Sequence, residues 1–85
     1  MIIEKSLKYL SESLSNYIEE DHMSRKINSK LEQRDYETES DFVEDLEDEE
    51  IEYLNMLLER EINYAENVQD DIRVKELNDI YELLF

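Results

Sequence analysis

Apolar residues recur at steps of three and four along almost the whole chain, and the places where that rhythm breaks divide it into elements. The longest reading runs from Glu49 to Leu84, about thirty-six residues, with Ile51, Leu54, Leu58, Ile62, Ala65, Val68 and Ile72 on one face. The stripe shifts phase near Val74 and resumes at Leu77, Ile80, Tyr81 and Leu84. With no Gly or Pro in the chain to interrupt it, this spacing predicts one helix roughly 54 Å long. Asp48 is the expected N-cap, and Glu49, Glu50 and Glu52 fall in the first turn, where the helix dipole favours negative charge.

Earlier in the chain, Ile3, Leu7, Leu10, Leu14 and then Tyr17 or Ile18 form an a/d seam that predicts a first helix from about Ile2 to Glu19. Ser11, Ser13 and Ser15 lie between those positions and lower the intrinsic helix preference, so packing must hold this helix. The seam loses phase at Glu20, Asp21 and His22. Met23, Ile27 and Leu31, at steps of four, then predict a second helix capped by Asp21 and ending near Arg34, or else the continuation of one bent helix. Tyr36 to Ser40 lacks periodicity and reads as a loop, after which Ser40 caps a short helix whose Phe42, Val43 and Leu46 plug the end of the bundle.

The expected fold is therefore all-α: a small helical bundle with two shorter N-terminal helices and a short capping helix packed on one long C-terminal helix. It is one domain in three parts, a neutral helical hairpin or bent helix over 1–34, an acidic loop and short helix over 35–48, and the long acidic helix over 49–84. Laid end to end, the first two helices would cover about 51 Å and match the long one. Folded over half of it, they would leave a stripe from Leu77 to Phe85 to pair with a second copy.

Charge sharpens this picture. Residues 1–34 hold six acids and six bases, whereas residues 35–85 hold nineteen acids and three bases, so the formal charge of −16 belongs to the second part. Direct binding of duplex DNA is not expected, because it needs cations that displace the counterion atmosphere. Arg25, Lys26, Lys30 and Arg34 make a small positive patch, read as a helix face lying against the acidic half. At 85 residues the core is thin. With no Cys in the chain, disulfides, thiolate catalysis and Cys-based zinc sites are excluded. Neither a secretory core nor a membrane span is visible, and the expected location is the cytoplasm.

Chemistry is sparse. Residues 35–52 contain eleven acids and no base, but a calcium loop of the EF-hand kind needs a Gly for its sharp turn. Glu19 and His22 have the spacing of half a di-iron site, yet the chain has a single His. No Ser or Cys nucleophile has a partner set, and no cofactor or metal is expected. Tyr9, Tyr17, Tyr64 and Tyr81 fall on or beside the apolar stripes as core rims. Tyr36 and Tyr53 flank the acidic run. Together with Asp41, Glu44, Asp45, Glu47, Asp48, Glu49 and Glu50, they form the candidate partner-binding surface, the alternative for the two tyrosines being boundary packing.

Four segments carry a family resemblance: Glu12-Ser-Leu-Ser-Asn16; Phe42-Val43-x-Asp45-Leu46; Leu58-Glu-x-Glu-Ile62 with Tyr64-Ala65; and Lys75-Glu-Leu-Asn78 with Tyr81-Glu-Leu-Leu84. On these the chain resembles the CsgA-like family of sigma-G-dependent, sporulation-specific small acid-soluble spore proteins of spore-forming bacilli, from about Leu7 to its end. The resemblance implies expression in the forespore and residence in the spore core. It implies no catalytic or binding residues. The expected function is non-enzymatic, through contact with a basic protein partner or in a homodimer. The alternatives are an acidic nucleic-acid mimic that occupies a DNA-binding protein, and a reservoir of cations and amino acids.

Overall fold

In the computed structural model, which describes residues 4–84, five α-helices follow one another: α1 (Lys5–Ser15), α2 (His22–Gln33), α3 (Glu39–Glu44), α4 (Asp48–Asn67) and α5 (Asp71–Tyr81). A 3-10 turn, Glu82–Leu84, closes the described chain. The all-α bundle expected from the hydrophobic pattern is what forms.

Each helix starts where a side chain can take up a free amide. Asp21 caps α2 as expected, accepting from Met23 N at 3.1 Å. The cap of α3 is Thr38, two residues before the expected Ser40, because its Oγ1 accepts from Asp41 N at 3.1 Å. At α4 the N-cap is Glu47 and the expected Asp48 becomes the first helical residue. Here Glu50 reaches back, its Oε1 accepting from Glu47 N at 2.8 Å.

The expected single helix over 49–84 is not formed. α4 ends at Asn67, and the chain reverses through Val68, Gln69 and Asp70 into α5. Gln69 takes the left-handed conformation (φ 59°), while Gln69 N donates to Glu66 O (3.1 Å) and Asp70 N to Ala65 O (2.8 Å). This closes a helix end in the manner usually given to Gly. Asp70 then caps α5 by accepting from Arg73 N at 3.2 Å. The phase shift near Val74 is the trace of this reversal. On one straight rod the two half-stripes would point in different directions, and folding α5 back along α4 brings Leu77 and Ile80 into the core with Leu54 and Leu58, all fully buried. At 31 × 28 × 24 Å the molecule has no room for a 54 Å rod. Val68 and Ile72, expected on the buried stripe, fall at the turn and are 56% and 57% exposed.

The first two helices form a hairpin rather than one bent helix. α1 stops at Ser15, four residues before the expected end, because residues 16–20 make the turn, with Asp21 N donating to Tyr17 O at 2.8 Å. Antiparallel contact follows: Ser11 Oγ donates to Asn28 Oδ1 (2.8 Å) and Ser24 Oγ to Leu14 O (2.7 Å). Of the three serines that weaken α1 as an isolated helix, Ser11 thus becomes a contact with α2, whereas Ser13 and Ser15 bond back to Tyr9 O and Glu12 O within α1. Leu7, Leu10, Leu14, Ile27 and Leu31 are buried with Phe42 of α3, and Ser6 Oγ ties α1 to α3 through Glu39 Oε1 at 2.8 Å. Two arginines of the acidic half cover the rims of α1, Arg60 over the Tyr17 ring and Arg73 over that of Tyr9, at 5.5 and 5.4 Å from the centroids. The stripe offered to a second copy is covered from within at Leu77 and Ile80; Phe85 lies outside the described residues, as does Ile3.

Candidate acidic interaction surface

Lys26 and Lys30 fall at i and i+4 on one face of α2, with Arg34 at its C-cap, and the chain returns after α3 so that carboxylates meet each of them. Lys26 pairs with Glu47 at 3.5 Å, Lys30 with Glu50 at 2.7 Å, and Arg34 with Asp45. Lys30 Nζ also donates to the Asp45 carbonyl at 3.0 Å. Arg25 turns away and donates from both Nε and Nη2 to Ile18 O, at 3.2 and 3.1 Å. The positive patch is thus closed against the acidic half at Lys26, Lys30 and Arg34, as its sequence reading has it, but not at Arg25.

Burial grades this ladder. The Glu50 side chain is 0% exposed and that of Lys30 18%, whereas Lys26 and Glu47 are 38% and 66% exposed. Burial alone would raise the Glu50 carboxyl, but the Glu47 amide and the Lys30 ammonium outweigh it and hold it below its ordinary value. Its second oxygen, Oε2, has no hydrogen-bond partner among the described residues. Asp45 is held low chiefly by the Tyr36 hydroxyl, with Arg34 adding to the effect against partial desolvation. Tyr36 OH donates to Asp45 Oδ2 at 2.7 Å. Its ring meets Phe42 edge-on at 5.4 Å, and burial with the Asp45 bond pushes its hydroxyl up to about 12.

The nine residues of the sequence-derived surface therefore divide. Tyr36, Asp45, Glu50 and Tyr53 are drawn into the fold: Tyr36 and Glu50 are buried, Asp45 is doubly bonded, and the half-buried Tyr53 is pushed up to about 12 by burial and a hydrogen bond to Asp21. Asp41, Glu44, Glu47, Asp48 and Glu49 are exposed on α3 and the start of α4. Of these only Glu47 has an ion pair among the described residues. His22 and Glu19 are exposed, and no group of three or more His, Cys, Asp or Glu among the described residues is placed to hold a metal ion.

A second feature escaped the sequence reading. Asn16, Glu61, Tyr64, Ala65, Val68, Asp70 and Arg73 line a pocket of about 300 Å³ beside the α4–α5 turn. Tyr64, expected as a core rim, is 60% exposed there. Its signal in the sequence was Tyr64 and Val68 at i and i+4 within residues 61–72, a stretch with four acids and no base.

Comparison with known proteins adds the following. A family model described as CsgA, minor curli fiber component A, matches residues 3–85. The chain is 49% identical over 79 residues to a Bacillus subtilis (strain 168) protein named sigma-G-dependent sporulation-specific SASP protein, covering 93% of this chain and 95% of that one. No solved structure matches.

Proposed function

The chain belongs to the CsgA family, and from that membership we propose that it is a non-enzymatic sporulation protein of the spore interior that acts by holding a basic protein partner. The sporulation setting rests on the Bacillus subtilis relative, whose name is sporulation-specific. The observation that carries the mode of action is the ladder. By using the cations of α2 and its C-cap inside the fold, the chain leaves Asp41, Glu44, Asp48 and Glu49 exposed and without an ion pair among the described residues. Such a run attracts a cationic surface and raises its association rate, and its effect fades with salt.

The ionisation pattern supports the non-enzymatic reading. A general acid needs a carboxyl raised toward neutrality, and the two shifted carboxylates here, Asp45 and Glu50, are both lowered by partners in the same chain. Direct DNA binding through Lys26, Lys30 and Arg34 would require the ladder to break, because they are its rungs. The fibre in the family description is not carried into the proposal: growth by strand addition needs a strand edge, and the described residues form no strand.

The test is affinity capture from a sporulating-cell lysate across a salt series, with the full chain beside a variant carrying Asp41→Asn, Glu44→Gln, Asp48→Asn and Glu49→Gln. A basic protein held by the first, released as salt rises and lost from the second, is the expected result. Partners retained equally by both chains at high salt would overturn the reading.

A further inference from the structure

We propose that the pocket beside the α4–α5 turn docks an apolar side chain carried on a basic peptide segment, with Tyr64 and Val68 as its walls. This rests on the reading that the protein holds a basic partner, and it names where the non-ionic part of that contact is made. Exposed charges give steering and little affinity, so a stable complex needs an apolar anchor as well. Tyr64 and Val68 are 60% and 56% exposed and share one face of α4. They sit on a concavity of about 300 Å³, at the small end of the range for ligand sites and suited to one inserted side chain rather than a cofactor.

Two observations select a cationic occupant. Residues 61–72 carry Glu61, Glu66, Asp70 and Asp71 with no base. The one cation in the lining, Arg73, is taken up by Asp70 (3.4 Å), Glu12 (3.6 Å) and the Tyr9 ring. Two helices also end at the pocket, α1 at its C-cap Asn16 and α4 at its C-cap Val68, with their last carbonyls bonded within the turns. α5 starts there too, but its amide end is already met by Asp70. A second copy of this chain would bring its own charge of −16 against the same acids.

The experiment uses the 15N-labelled full chain and two synthetic helical peptides, one with Leu along one face and Lys elsewhere, the other with Ala in place of each Leu. The Leu-Lys peptide is expected to shift the amides of residues 61–73. Tyr64→Ala with Val68→Ser, both at exposed positions and so expected to keep the melting temperature, should weaken that peptide about tenfold. The same pair should change Ala-Lys binding by less than about twofold, as expected of exposed changes outside its contact. Shifts confined to residues 41–52, or a double variant that binds the Leu-Lys peptide unchanged, would overturn the docking site and leave the acidic-run reading standing. Shifts at 61–73 that survive neutralisation of Asp41, Glu44, Asp48 and Glu49 would keep the docking site and remove that reading. Concentration-dependent shifts at 61–73 without peptide, with a dimer in sedimentation, would assign the surface to self-association and overturn the proposal.

Discussion

At the N-terminal end of α4, three cations of α2 and its C-cap meet three carboxylates, and in the most buried pair, Lys30 with Glu50, the carboxylate is fully covered. At its C-terminal end the chain reverses on two backbone hydrogen bonds around a left-handed Gln69, and leaves Tyr64 and Val68 outside. One end satisfies its charges within the fold; the other keeps apolar surface that no described residue covers. The comparison separates acids that hold the protein together from those free to meet a partner, a division that net charge alone does not reveal.

Breaking the closed end should have the largest effect. Lys30→Met leaves Glu50 buried without its cation and is expected to cost about 3–5 kcal/mol of unfolding free energy. Lys26→Met, whose partner is mostly exposed, should cost less than about 1 kcal/mol. Urea denaturation of the two variants makes the test, and equal losses would mean that burial does not grade the ladder.

Acid should open the same end next. Asp45 and Glu50 are held below their ordinary values of 3.8 and 4.5. Their contribution is therefore complete above those values and is lost as pH falls through the lower folded ones. Amide resonances of α2 and the start of α4 should hold in an NMR titration until the pH falls below those ordinary values, and change beneath them. Tyr36 has the opposite sign. Its hydroxyl is raised from 10 to about 12, so its contribution is complete below 10 and is lost as pH rises toward 12. Ladder amides that already respond to acid above the ordinary carboxylate values of 3.8 and 4.5 would mean that their partners do not hold Asp45 and Glu50 down.

The open end yields the smallest change, and a gain. Gln69→Gly removes the left-handed cost to a side chain and should stabilise by about 1 kcal/mol, a rise of about 4–8 °C in Tm for a domain of this size. An unchanged Tm would mean that the Gln69 side chain contributes elsewhere what its backbone loses.

Much of this was legible in the sequence because burial follows period. Leu7, Leu10, Leu14, Ile27, Leu31, Leu54 and Leu58 all face inward as their spacing requires, and Asp21 caps α2 where the seam lost phase. The reversal at Gln69 was hidden because turns are recognised by Gly and Pro, and this one is made without either; only the phase shift near Val74 marked it. The candidate surface was half legible. Charge identified the acidic run, but which acids are consumed depended on α2 returning beside it, a tertiary fact. The i, i+4, i+8 spacing of Lys26, Lys30 and Arg34 was the sign that three of them would be.

The pairing of neighbours, α1 with α2 and α4 with α5, also sets how the molecule is made. Each hairpin closes over a turn of only a few residues, so the entropy of loop closure is small and much of the native topology can nucleate locally. Small helical folds rich in such contacts re-form in about microseconds to milliseconds. Without a single proline in the chain, no isomerisation step stretches that into minutes. An unfolded copy therefore spends little time with its leucines exposed to other chains.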